Sequence, residues 1–81
     1  MAQQLPGQCS PHDAGIKSIE DQYGETITGR GLHENGMMVE MLVSQSGTWT
    51  LVVTRPDGLS CIAGAGDNWE TVKPKAPGSD T

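Results

Sequence analysis

Eighty-one residues with a net charge of −5 make one domain and leave little room for a second. Two Trp, one Tyr and no Phe stand beside eleven Gly and five Pro, so the core is small, turns are many, and a covalent staple would help. The basic residues Lys17, Arg30, Arg55, Lys73 and Lys75 are scattered, which excludes the clustered cations of nucleic-acid binding, and no apolar run approaches the ~20 residues of a membrane-spanning helix.

The chain opens "MAQQLPGQCS". Ala followed by Gln-Gln suits the neighbourhood of a signal-peptidase cut. The expectation is a mature, exported protein carrying an added start Met, with its signal peptide removed; the alternative is a native, short cytosolic N-terminus. Residues 1–8 read as a disordered lead, 9–72 as the single domain, and 73–81 as a disordered tail. Ser10 has the marks of an N-cap, with Pro11 at the first helical position and Asp13 near the positive end of the helix dipole. Ile16, Ile19 and Tyr23 follow at helical spacing, and Gly24 suits the helix stop. One amphipathic helix over 11–23 is expected.

After Gly24 the period becomes two. "ETITGRGL" is a first strand whose Gly29 and Gly31 strip one face of side chains. "HENG" marks a turn. "MMVEMLVS" is a second strand, with Met37, Val39, Met41 and Val43 on one face and Met38, Glu40, Leu42 and Ser44 on the other. "QSG" allows a hairpin into "TWTLVVT", and "RPDG" reads as a type I turn closed by a glycine at positive φ, leading into "LSCIAG". The expected fold is α+β: one N-terminal helix packed on a four-stranded antiparallel meander. Judged by the third strand, Trp49, Leu51 and Val53 face the helix, and Thr48, Thr50 and Thr54 face out.

On that assignment Cys61 points toward the helix layer, and Cys9 stands just ahead of the helix. A Cys9–Cys61 disulfide would then clamp the start of the helix to the last strand. It would close a loop of about fifty residues, worth roughly 4 kcal/mol by the chain-entropy relation. A reduced pair is the main alternative. Zinc held by Cys9, His12, Cys61 and His33 is disfavoured, because structural sites show two paired half-sites. No metal or cofactor is expected. Ser10, His12 and Asp13 are residue types of a hydrolytic triad, but neighbours on one helical turn do not converge on a substrate. His33 reads as a solvated turn residue. "GAGDNWE" (64–70) lacks the helix of a phosphate loop and the acids of a calcium loop.

The runs "YGETITGRGL" (23–32) and "NGMMVEMLVSQSGTWTLVVTRPDGLSCIAGAGDNWE" (35–70) resemble a group of small exported, periplasmic proteins of Gram-negative bacteria. That group shares an early Cys, a Tyr-Gly-Glu at a helix end, a Gly-x-Trp-Thr strand, a Pro-Asp-Gly-x-Ser-Cys turn and strand, and a closing Ala-Gly with a following Trp. Here the matching positions include Cys9, Tyr23, Glu25, Trp49, Pro56, Cys61 and Trp69. The resemblance covers about 9–70. It implies export and favours the disulfide, and it implies no reaction. Helix-then-meander order is also similar, in topology alone, to PepSY-type modules.

Both faces of the second strand are rather apolar. Met38, Glu40, Leu42 and Trp69 therefore form the candidate binding surface, with Trp69 either joining it or folding over it. No constellation supports an enzyme. The expected function is a non-enzymatic, periplasmic or secreted binding domain, whose partner is an envelope protein or a second copy in a homodimer. The alternative is an inhibitor-like, PepSY-like module acting on a periplasmic hydrolase.

Overall fold

The computed structural model describes residues 7–75. It contains one helix and five antiparallel strands: β1 (Cys9–Pro11), α1 (His12–Tyr23), β2 (Thr26–Leu32), β3 (Met38–Val43), β4 (Trp49–Thr54) and β5 (Leu59–Gly66). The sheet order is β1-β5-β4-β3-β2. The expected meander is present as β2 to β5, and the α+β class holds.

Three hairpins are built alike. His33–Gly36, Ser44–Gly47 and Arg55–Gly58 each close with the glycine N–H donating to the carbonyl three residues back, at 2.9, 3.1 and 2.9 Å. The three glycines have φ of 90°, 96° and 93°, a conformation that side chains with a Cβ resist. Turn chemistry therefore sets the register of β2 to β5.

The fifth strand is the element that sequence reading missed. Cys9, Ser10 and Pro11 pair with Cys61, Ser60 and Leu59. Gly7 N–H donates to the Ile62 carbonyl, and Ile62 N–H donates to the Gln8 carbonyl. The last two residues of the expected disordered lead are thus tied to β5; residues 1–6 and 76–81 of the lead and tail lie outside the described residues. Three residues with Pro at the end carry little strand propensity, so the pairing is invisible in local pattern. The Cys9–Cys61 disulfide is present. It links two directly paired strand residues rather than helix to sheet.

Ser10 is correspondingly not the N-cap. Pro11 occupies that position without a side-chain cap bond, and His12 N–H donates to the Gly58 carbonyl at 3.1 Å. The Ser10 side chain turns to the helix instead: a Cβ on Gly15 would stand 2.6 Å from its Oγ. Glycine at 15 lets α1 approach β1. At the other end Gly24 has φ 65° and donates to the Glu20 carbonyl, as the sequence indicates.

The helix covers the face opposite to the one expected. Ile16 and Ile19 pack with Leu42 and Val52 in one buried cluster, joined by Tyr23 and Ile27. Thr48, Thr50, Thr54 and Ser60 are buried on this side. Their methyls extend the core, and Thr54 and Ser60 share a hydroxyl hydrogen bond of 2.7 Å. On β2 the two faces differ. Toward the helix it offers Ile27, paired with Leu42; on the other face it offers Gly29 and Gly31, paired with Met41 and Val39. Because paired residues share a face, Cys61, paired with Val53, also points away from the helix.

Candidate functional site

The uncovered face of the sheet is apolar. Val39 pairs with Val53, Met41 with Leu51, and Val43 with Trp49. These six side chains are half-buried by one another, and no helix or strand of the described residues lies over them. The register puts no charged side chain among them.

One corner is organised by tryptophan. The Trp49 ring lies across β5, where a Cβ on Gly66 would meet it at 2.8 Å and one on Gly64 at 3.7 Å. Its Nε1–H donates to the Asp67 carbonyl at 3.2 Å. Trp69 packs against it with ring centroids 6.3 Å apart and planes at 56°, within the range of favourable tilted aromatic pairs. Trp69 N–H donates to the Gly47 carbonyl at 2.9 Å, and 37% of the residue remains exposed. Trp69 thus borders the open face without closing it.

Of the four residues expected to form the surface, Trp69 alone lies on this face. Glu40 and Leu42 are each 0% exposed, beneath the helix. Met38 pairs with Thr54 on that same side and is half-buried. The open face carries Val39, Met41, Leu51 and Val53 instead. Alternation alone puts Ile27, Gly29 and Gly31 on one face, and it is the register shift between Ile27 and Gly29 that separates them.

Glu40 instead anchors a polar network under the helix. His12 Nε2 approaches one carboxylate oxygen at 2.7 Å, while Arg30 donates to the other from Nε at 3.1 Å and from a terminal nitrogen at 2.8 Å. His12 Nδ1 stands 2.8 Å from Asp13 Oδ1. The imidazole pKa is raised from 6.5, first by the hydrogen bond with Asp13 and next by that with Glu40. Both ring nitrogens are engaged by carboxylates, an arrangement that favours the imidazolium and leaves neither nitrogen free to accept a substrate proton. A cleft of about 350 Å³ also opens between α1 and β5, with Ile19, Val52 and Ile62 among its apolar lining and Ser18, Gln22 and Ser60 among its polar lining. It brings together no titratable side chains other than Tyr23.

The zinc alternative weighed from the sequence loses its ligands, since both sulfurs are bonded to each other and His12 is held by two carboxylates. No helix of the described residues is long and apolar enough to cross a membrane. No protein-family model, curated protein or solved structure matches this chain.

Proposed function

We propose that this chain is a non-enzymatic, exported binding domain that meets another protein chain through the open face of its sheet. The observation that carries the reading is the row Val39, Met41, Leu51 and Val53, apolar, uncharged and without a covering layer. A contiguous apolar patch of this kind marks interaction sites on small soluble domains. The disulfide supports an oxidising compartment, as does the likeness to small periplasmic proteins. The engagement of both His12 nitrogens supports a binding role over proton-transfer chemistry.

Photoactivatable cross-linking side chains placed singly at Met41, Leu51, Lys17 and Asp21, in the native cell envelope, test this. Lys17 and Asp21 lie on the exposed flank of α1. Protein adducts are expected from Met41 and Leu51 and not from the two helix positions. Silence at both sheet positions, or equal adducts from the helix, contradicts the reading. An adduct consisting of a hydrolase would turn it into an inhibitor.

A further inference from the structure

Packing within the chain asks for glycine at neither Gly29 nor Gly31 of β2. Gly29 and Gly31 lie on the open face, neither has the positive φ that favours glycine, and a Cβ added to either meets nothing within 4 Å. The glycines of β5 differ, since Gly64 and Gly66 make room for Trp49. A register shift between Ile27 and Gly29 accounts in part for Gly29, while Gly31 sits in regular pairing. Glycine weakens a strand interior, and besides bulges it marks places where a ligand or another backbone comes close.

The register turns this bare lane into half of a self-complementary pattern. Across three strands one row reads Gly29, Met41, Leu51 and the next reads Gly31, Val39, Val53. Each row runs from no side chain, through the centre, to a large one. A two-fold axis laid along β3 between two facing sheets maps β2 of each copy onto β4 of the other at the same level. Leu51 of one copy then stands over Gly29 of its partner, Val53 stands over Gly31, and Met41 meets Met41 at the axis.

We propose that a second copy of this chain is the protein that packs on the open face, with Leu51 and Val53 of each copy seated in the Gly29–Gly31 lane of the other. This rests on the open face being the binding surface and names its occupant. Self-complementarity of this kind is what an isologous two-fold interface requires, and interdigitated inner faces are how sheets pack. The charges giving each copy its net −5 stay off these rows. Three strands of six or seven residues offer a footprint of about 14 × 20 Å, below the ~800 Å² per partner of a standard interface. The dimer is therefore weak and reversible.

Sedimentation of the full, disulfide-intact chain over a wide concentration range tests this, beside Gly31→Val and Gly29→Ala. A Cβ at either position has open space in the monomer, and unchanged circular dichroism certifies the fold of both variants. The wild type is expected to dimerise as concentration rises, and Gly31→Val to weaken the dimer at least about tenfold. A wild type monomeric throughout, or a dimer indifferent to Gly31→Val, overturns the proposal. If it is overturned while cross-linkers at Met41 and Leu51 still capture another protein, the open-face reading stands without it. If those cross-linkers are silent as well, both fall.

Discussion

The imidazole of His12, in the first turn of the helix, lies 2.7 Å from the carboxylate of Glu40, a residue with no exposed surface at the centre of the sheet. Arg30 holds the other carboxylate oxygen from β2. One buried acid thus ties the start of α1 to two strands, and its charge is tolerable because both partners are cationic in the stable state.

The first consequence is a pH dependence. The pKa of His12 is raised above its ordinary 6.5 by the hydrogen bonds with Asp13 and Glu40. A neutral imidazole has one N–H and cannot donate to both carboxylates. The stabilisation is therefore complete below pH 6.5 and is lost as pH rises through the higher folded-state value. Because Asp13 is fully exposed, the effect should be about 1 kcal/mol or less. Thermal unfolding between pH 6 and pH 9 should show the wild type losing more stability than His12→Gln. Parallel curves for the two proteins would refute the linkage.

A second expectation concerns Arg30. Its replacement by Met leaves Glu40 buried with His12 as its one remaining cationic partner, so unfolding free energy should fall by about 2 kcal/mol or more. The loss should be greater at pH 9 than at pH 6, where His12 still carries charge. Urea titrations at the two pH values decide it, and an equal loss at both would mean that the two cations act independently.

Removing the disulfide provides the third. Cys9 and Cys61 are 52 residues apart in sequence, a separation for which the chain-entropy relation gives about 4 kcal/mol. The double variant Cys9→Ala, Cys61→Ala should lose up to that amount in denaturant. Its amide protection should vanish first at Ser10, Ser60 and Ile62, because β1 has only three residues of ladder. Retained protection there would show that β1 holds to β5 without the bond.

The tryptophan corner gives the fourth. A methyl on Gly66 would collide with the Trp49 ring at 2.8 Å, so Gly66→Ala should displace the indole and separate it from Trp69. Near-ultraviolet circular dichroism should lose intensity, and stability should fall by about 1–3 kcal/mol. An unchanged spectrum would mean that the ring has somewhere else to go.

Much of this fold was legible because local chemistry determines it. Gly36, Gly47 and Gly58 each end a turn at positive φ, and "HENG", "QSG" and "RPDG" announce them. Gly24 likewise announces the end of α1. The face of the sheet was not legible from β4, because Trp49, Leu51 and Val53 are more hydrophobic than Thr48, Thr50 and Thr54. The register shift between Ile27 and Gly29 puts Ile27 beside Leu42 under the helix and the two glycines on the other face, and alternation along the chain does not show it. Glu40 looked like a surface acid until the strand register and the helix brought Arg30 and His12 to it from 10 and 28 residues away. Strand β1 pairs with, and is bonded to, a segment some 52 positions distant, and no local pattern encodes that.

On the proposed reading, the face turned away from the helix is where this protein meets another chain, itself above all. Methyl-resolved NMR of the intact chain across a dilution series tests it most directly. Resonances of Met41, Leu51 and Val53 should move with concentration while those of Ile19, Leu42 and Val52 stay fixed. Shifts confined to the helix side, or resonances that ignore concentration altogether, would contradict it.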